Sequence, residues 1–186
     1  MRAWLLTAGL VLALGTSGAV QPGAAQVPAP VALASVPPPP AAIPPIGPES
    51  GLPLPRFVSL KSARAEARRG PSRTHRLDWV YSARGLPVRV TGEFEHWRRI
   101  EDSEGFGGWV HYSQLSGVRT VLVTQDMAPL RSRPMDNAPE VALLEQGVVA
   151  RIVECAPVWC RLNLDGTRGW VLREALWGLA PDEVLD

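Results

Sequence analysis

The sequence has little of what most metal, redox and nucleic-acid sites require. Of its 186 residues, only two are cysteine and three are histidine. Two cysteines are too few for a disulfide-built scaffold or a four-cysteine zinc site. Nineteen basic residues against 18 acidic ones leave a net charge of +1, so the chain has no overall field that would hold nucleic acid. We therefore expect no cofactor, no bound metal and no nucleic-acid partner.

Proline is concentrated ahead of the part of the chain that can fold. Twelve of the 19 prolines lie between Pro22 and Pro55, where they deny the backbone its hydrogen-bond donors. Residues 26–55 are therefore predicted to form a semi-rigid polyproline II spacer. The alternative is that Pro-x-x-Pro stretches in this segment are ligands for another domain, or for the modules that follow in the same chain.

Residues 1–25 have the pattern of a secretory signal peptide. An uncharged apolar run over residues 3–14 follows Arg2, and small residues precede the expected cleavage after Ala25, with Ala19 as the second candidate. We expect a mature protein that begins near Gln26 and is periplasmic or secreted. The alternative is an uncleaved membrane anchor, which would be the one contact of the chain with a membrane.

The chain after residue 55 contains an internal repeat with an offset of about 62 residues. The clearest matches are Trp97-Arg98-Arg99-Ile100 with Trp159-Cys160-Arg161-Leu162, and Gly108-Trp109-Val110 with Gly169-Trp170-Val171. Two copies of one small fold are implied. We place the first copy at residues 56–121 and the second at residues 122–186.

Each copy has the pattern of several short strands. In the first copy, β-rich runs cover residues 86–94, 97–101 and 108–112, with turn residues between them. Asp165-Gly166 in the second copy is typical of a hairpin turn. Roughly five short strands in about 60 residues cannot form a two-layer sandwich. We therefore predict an all-β fold in which each copy closes into a small antiparallel barrel.

These motifs resemble a known family. Arg68-Arg69-Gly70-Pro71-Ser72, a Trp-x-Arg-aliphatic strand and Gly-Trp-Val together look like the bacterial SH3-like (SH3b) domain. The opening at residues 51–61 and the terminal Leu176-Trp177-Gly178 resemble an alphaproteobacterial group of exported tandem SH3-like proteins. The resemblance implies tandem barrels and a binding role, because such domains usually accompany cell-wall enzymes as binding modules. The second copy lacks Gly-Pro-Ser at its start. The resemblance therefore does not imply that the first loop of the second copy binds the same ligand as the first loop of the first copy.

The two cysteines are five positions apart, at the end of one predicted strand and the start of the next. A tight hairpin would set Cys155 and Cys160 across from each other, and in an exported protein we expect them to be joined. The rival interpretations are a redox pair, which favours Cys-x-x-Cys at a helix start, and a metal site, which would need more ligands.

No recognisable catalytic pattern surrounds the polar residues. The three histidines, at positions 75, 96 and 111, form neither a His-x-His nor a His-Glu-x-x-His spacing. The serines at positions 72, 103 and 113 have no nucleophile-elbow motif around them. We expect a protein that is not an enzyme. The competing hypothesis is a cell-wall hydrolase, or an accessory subunit that completes the active site of one.

Charge is uneven between the copies. Residues 56–121 carry a net charge of +5, whereas residues 122–186 carry −4. This asymmetry fits ordinary solvated surface, docking of the two copies, or a basic face on the first copy that meets an anionic wall or membrane polymer.

Tryptophan is the most informative residue type in the repeats. Strand parity places Trp97 on the face opposite Ile100, and the same alternation turns the other repeat tryptophans away from the aliphatic core. These rings either brace the barrel or form a half-exposed groove for a polyproline or extended peptide. The candidate ligand-binding residues are Trp79, Tyr81, Trp97, Trp109, Tyr112, Trp159 and Trp170. The predicted function is non-enzymatic binding of peptidoglycan peptides, or of an extended or Pro-rich peptide of an envelope protein.

Overall fold

The computed structural model describes residues 44–186. The predicted signal peptide, the alternative anchor and the spacer up to residue 43 lie outside the described residues. Two sheets of seven antiparallel strands account for the described chain. Between residues 44 and 186, no helix is long and apolar enough to cross a membrane.

The first sheet has the strand order β3-β2-β6-β5-β4-β1-β7. Its strands are β1 (Arg56–Leu60), β2 (Ala65–Arg68), β3 (Leu77–Tyr81), β4 (Pro87–Phe94), β5 (Trp97–Glu101), β6 (Gly107–His111) and β7 (Leu115–Ser116). A single 3₁₀ turn, Tyr112–Gln114, joins β6 to β7.

The second sheet has the order β10-β9-β13-β12-β11-β8-β14, which is the order of the first with seven added to each number. Its strands are β8 (Thr120–Val123), β9 (Ala128–Arg131), β10 (Glu140–Leu144), β11 (Val149–Cys155), β12 (Trp159–Leu164), β13 (Thr167–Leu172) and β14 (Leu176–Trp177). A 3₁₀ turn, Arg173–Ala175, again precedes the last strand. The predicted all-β fold with two tandem barrels is confirmed.

Alternation of side chains along the strands builds one core in each barrel. In β12, Cys160 and Leu162 are buried while their neighbours are only partly so, as a strand with one inward face requires. The first core includes the fully buried aliphatics Leu60, Val88, Val90, Ile100 and Val110. The second includes their repeat counterparts, among them Val123, Leu162 and Val171.

The boundary between the repeats differs from the prediction. A division between residues 121 and 122 falls inside β8, whose Val121 is completely buried in the second core. The connection between the barrels is the segment 117–119, between β7 and β8. The sequence matches that revealed the repeat lie after the first strand of each copy, so they did not locate this boundary.

The segment 44–55 also differs from the prediction, which assigned it to the spacer. Ile46 bridges Pro53, and the amide of Gly47 donates to the carbonyl of Leu52 (2.8 Å), so the chain turns back on itself. Leu54 is only 7% exposed and belongs to the first core. Proline removes donors but does not prevent a turn from packing, and one buried leucine brings this segment onto the barrel.

The C-terminal segment after β14 is fastened to the second barrel. Leu185 exchanges both backbone hydrogen bonds with Cys155, at 2.7 and 3.0 Å. The carboxylate of Glu183 binds the guanidinium of Arg119, which lies in the segment between the barrels. Among residues 44–186, no ion pair joins strands β1–β7 to strands β8–β14, so charge asymmetry does not dock the two copies by direct pairing.

Candidate functional site

The Gly-Trp motif of each copy lies where the barrel closes. Trp109 on β6 pairs with Arg68 on β2, and Trp170 on β13 pairs with Arg131 on β9. At Gly108, φ is +152°, and a Cβ atom there would stand 2.7 Å from the carbonyl oxygen of Arg68. Only glycine permits so close an approach. This glycine therefore brings the following tryptophan up against an arginine of the neighbouring strand.

Arg68 fixes the loop between β2 and β3. Its Nη1 donates hydrogen bonds to the carbonyl oxygens of Arg73 (3.1 Å) and His75 (2.9 Å). Nη1 of Arg131 donates in the same way to the carbonyl of Ala138 (2.9 Å). The sequence prediction did not include either arginine among the site residues, although their recurrence in both copies was a signal.

An open cleft of about 390 Å³ lies beside this loop on the first barrel, and we call it the arginine cleft. Its lining includes Arg68, Arg69, Asp78, Arg99 and Trp109. Arg99 on β5 stands directly across from Trp109 on β6. One wall therefore offers both a half-buried indole ring and an exposed guanidinium.

Asp78, which also lines the arginine cleft, is already paired with two arginines. Asp78 accepts hydrogen bonds from Nε of Arg69 (3.1 Å) and Nε of Arg76 (2.8 Å). Hydrogen bonding to Arg76 and then to Arg69 lowers the pKa of Asp78, so this carboxyl stays ionised. Both oxygens of the Asp78 carboxylate are therefore already engaged by arginine side chains.

Arg99 differs from the other arginines of the cleft. Glu101, the nearest acidic residue along β5, is paired with Nη2 of Arg89 at 2.8 Å. Within the part of the chain that the structure describes, Arg99 forms no ion pair. An exposed guanidinium without a carboxylate partner, beside an aromatic ring, is suited to bind an anion from outside the chain.

A smaller cleft of about 290 Å³ lies on the other side of Arg68, lined by Trp97, His111 and Ser113 among others. Trp97 is only 8% exposed and meets the ring of His111 edge to face, with centroids 5.5 Å apart. The expectation of a half-exposed Trp97 is therefore wrong. The ring does lie outside the aliphatic core around Ile100, as parity predicts. That face is enclosed by the hairpin of β2 and β3 with its loop, residues 65–81, which we call the β2–β3 arm, and by the turn after β6.

His111 and Ser113 form a hydrogen bond that resembles a base and nucleophile pair. Nδ1 of His111 lies 2.8 Å from Oγ of Ser113. The two residues flank the start of a 3₁₀ turn, where a side chain commonly caps the backbone in this way. Burial, together with the positive charges of Arg73, His96 and Arg98, lowers the pKa of His111 and favours the neutral ring.

The remaining first-barrel candidates have different surroundings. Tyr81 is 5% exposed and belongs to the core, which corrects its assignment as a ligand-binding residue. Burial and the Asp102 carboxylate raise its pKa, so the phenol stays neutral. Tyr112 is half exposed and stacks on His111, with centroids 5.0 Å apart. Trp79 is 45% exposed and contacts Phe106, a residue that sequence reasoning did not select.

The second barrel does not reproduce this surface. Trp159 and Trp170 are both half-buried, on neighbouring strands. Arg161, the counterpart of Arg99, pairs across from Trp170, but its Nη1 lies 3.5 Å from the carboxylate of Glu154. Within residues 44–186, no ring contact joins Trp97 to Trp109 or Trp159 to Trp170, the tryptophans on neighbouring strands of each barrel. The face of the second barrel that carries Trp170 therefore differs from the first in charge, because Arg161 has a carboxylate partner and Arg99 has none in residues 44–186.

The disulfide prediction is confirmed. Cys155 and Cys160 are bonded to each other across β11 and β12, and both are buried. Neither sulfur is a thiolate nucleophile or a metal ligand in this state.

The family follows from a match over both barrels. A family model described as bacterial SH3 domain matches residues 61–117 and residues 124–178. The chain belongs to the bacterial SH3 domain family. It carries two such domains in tandem, as the resemblance implied. Bacterial SH3 domains are binding modules of the cell wall, which is the general role expected from the sequence.

Solved structures with some likeness to this pair of bacterial SH3 domains include NlpC2 and NlpC1 from Trichomonas vaginalis and an NlpC/P60 family protein from Bacillus cereus ATCC 10987. Sequence identities are 15%, 15% and 13%, and TM-scores are 0.31, 0.32 and 0.30. The matches cover 66%, 70% and 65% of this chain but 48%, 48% and 55% of the other chains, so the protein spans about half their length. Similarity at this level carries no weight for function. A comparison with curated protein sequences gave no match.

Proposed function

We propose that this protein is a non-enzymatic binding module of the cell envelope, and that its first barrel binds a peptidoglycan peptide in the arginine cleft. The observation that carries the proposal is Arg99, exposed beside Trp109 and without an ion-pair partner in residues 44–186. Stem peptides of peptidoglycan combine carboxylates with small apolar side chains. A guanidinium and an indole ring on one wall match these two features.

The disulfide supports a location outside the cytoplasm. Cys155 and Cys160 form a buried disulfide. Disulfides persist in oxidising compartments and are rare in cytosolic proteins. The same bond argues against a cysteine nucleophile in this chain, because such a nucleophile requires a reduced thiol. A periplasmic or secreted binding protein is consistent with both features.

Binding to purified sacculi tests the proposal. We expect the full chain to co-sediment with sacculi, and Arg99→Gln to weaken this binding about tenfold, because one charge-assisted hydrogen-bonding group is removed. Arg161→Gln is the matched control, since it removes the equivalent arginine of the second barrel, where Glu154 already engages it. Equal binding by Arg99→Gln and the unchanged protein would overturn the assignment of the cleft.

Two further outcomes concern the competing ligands and activities. The protein could instead capture a Pro-rich envelope protein and not sacculi. If Arg99→Gln abolished that capture, the ligand of the cleft would be an extended protein segment and not a peptidoglycan peptide. Release of soluble muropeptides during incubation with sacculi would overturn the non-enzymatic part of the proposal.

A further inference from the structure

Two aromatic rings, stacked on each other, are exposed on the first barrel. The rings of Trp79 and Phe106 lie 5.6 Å apart between centroids and are nearly parallel, with an interplanar angle of 6°. They are 45% and 53% exposed, respectively. Trp79 comes from β3, and Phe106 comes from the turn between β5 and β6. We call this pair the aromatic platform.

Hydrogen bonds to Asp102 and the neighbouring ring of Tyr81 support the platform. Oδ1 of Asp102 accepts the amides of Glu104 (3.0 Å) and Phe106 (2.9 Å), which fixes the turn that carries the phenyl ring. Tyr81 places its hydroxyl 3.2 Å from the same carboxylate and its ring 6.3 Å from Trp79, measured between centroids. The two rings are thus ordered before a ligand arrives, which lowers the entropy lost on binding.

The barrel fold itself does not require these rings. The second barrel has the same strand order, but its cross-strand register places Ala142 where the first has Trp79. Its hairpin between β12 and β13 is the two-residue turn Asp165-Gly166, which has no counterpart of Phe106. Two large apolar rings kept half exposed on one copy alone point to a ligand rather than to packing.

The platform borders the arginine cleft. Asp78 and Gly105, each adjacent in sequence to one of the two platform rings, line that cleft. This inference rests on the proposed function: if a stem peptide lies in the cleft, the sugar to which peptidoglycan attaches that peptide must lie close by. Pyranose rings present flat faces of C–H groups, which pack on aromatic rings, while their hydroxyl and acetamido groups seek polar partners.

We propose that the aromatic platform binds an N-acetylhexosamine ring of the glycan strand, whose C–H face packs on the face of the Trp79 indole that Phe106 does not cover, while Phe106 orders the indole by stacking on it. Asp78, the residue before Trp79 in β3, forms ion pairs with Arg69 and Arg76, and we assign to this charged group the hydrogen bonds to the sugar hydroxyls. The first barrel would then recognise the junction of sugar and peptide, whereas the second barrel has no equivalent sugar surface.

Calorimetric titration of the full chain with a peptide-free tetrasaccharide of β-1,4-linked N-acetylglucosamine tests this proposal. We expect measurable binding that weakens about tenfold in both Trp79→Ala and Phe106→Ala. Tyr112→Ala is the matched control, because it removes an equally exposed ring of the same barrel that lies outside the platform. Trp79→Phe should retain most of the binding, which guards against a loss caused by misfolding, and circular dichroism checks the fold of each variant.

A parallel titration with a soluble stem peptide separates this proposal from the proposed function. Binding of the peptide but not the tetrasaccharide would overturn the sugar site and leave the peptide cleft standing. Binding of the tetrasaccharide, lost in Trp79→Ala, with no binding of the peptide would support the platform and overturn the cleft. Undiminished tetrasaccharide binding in both platform variants, or binding of a proline decapeptide there in its place, would overturn the sugar site.

Discussion

Phe57 of the first barrel and Trp177 of the second meet edge to face, with their ring centroids 5.1 Å apart at an interplanar angle of 85°. Nearby, Oγ of Thr120 donates a hydrogen bond to the carbonyl of Gly85 (2.6 Å), which also joins the two barrels. Each barrel has its own core, yet a nonpolar contact and a buried hydrogen bond connect them. The pair should therefore unfold with some thermodynamic coupling.

A double-mutant cycle on these rings measures that coupling. We expect the free energies of unfolding of Phe57→Ala, Trp177→Ala and the double variant to give an interaction energy of about 0.5–1.5 kcal/mol, as aromatic pairs do. The control cycle pairs Phe57 with Trp170, which lies on β13, a strand that does not pair with β1. Additivity in both cycles would show that the Phe57–Trp177 contact does not couple the two barrels.

The repeat made most of this fold predictable. Two copies of one strand pattern require two copies of one sheet order, and Trp-x-Arg followed by Gly-Trp-Val located β5 and β6 and their counterparts. Residues with special backbone roles, such as Gly108, were visible for the same reason. Cys155 and Cys160 were also predictable, because a hairpin brings them together.

Surface features were harder to predict from local patterns. Parity correctly put Trp97 on the face away from Ile100, but its burial depends on the β2–β3 arm, which folds over from elsewhere in the chain. Leu54 likewise enters the core from a proline-rich segment. The importance of Arg99 and Phe106 depends on their neighbours in the folded chain. Arg99 lacks an ion-pair partner within residues 44–186, and Phe106 stacks on Trp79, and neither contact can be read from local sequence.

Reduction of the disulfide should weaken the second barrel directly and affect the first only through the contact between the two barrels. Cys155→Ser with Cys160→Ser should lower the free energy of unfolding by about 2 kcal/mol, because the closed loop is short. Hydrogen exchange assigned to each barrel locates the loss, and the first-barrel amides are the internal control. Two thiols that react in the native, unreduced protein would contradict the bonded state.

Glu93 should make the first barrel sensitive to acid. Its carboxylate is fully buried and accepts hydrogen bonds from the amide (2.9 Å) and hydroxyl (2.6 Å) of Ser50 and from Arg56 (2.7 Å). Burial alone would raise the pKa of Glu93, but these bonds outweigh it and lower the pKa from 4.5 to about 2. The unfolded chain therefore binds this proton at higher pH than the folded chain does.

The contribution of Glu93 should be fully present above about pH 4.5 and lost as the pH falls toward 2. Denaturant unfolding at several pH values measures it, and Glu93→Gln should flatten the curve in that range and release the segment 44–55 to proteolysis. Glu101→Gln, which removes a more exposed ion pair, is the control. An unchanged acid slope in Glu93→Gln would contradict the assignment.

Trp97 should behave as a buried structural residue. Its ring is 8% exposed and packs edge to face on His111, so Trp97→Ala leaves a cavity between the β2–β3 arm and the turn after β6. We expect a loss of about 3–5 kcal/mol in the free energy of unfolding, measured by urea denaturation of the full chain. This is comparable to the cost of Ile100→Ala, which empties a fully buried position on the opposite face of the same strand.

Two exposed positions calibrate that expectation. Tyr112→Ala and Phe94→Ala remove rings that are 51% and 49% exposed, and each should cost much less than Trp97→Ala. If Trp97→Ala were as mild as these two while sacculus binding disappeared, the ring would be a ligand contact that the β2–β3 arm uncovers on binding. A loss as large as that of Ile100→Ala instead assigns Trp97 to packing. Ligand recognition would then belong to exposed groups, Arg99 in the arginine cleft and the aromatic platform, because only exposed groups can contact a ligand without displacement of the β2–β3 arm.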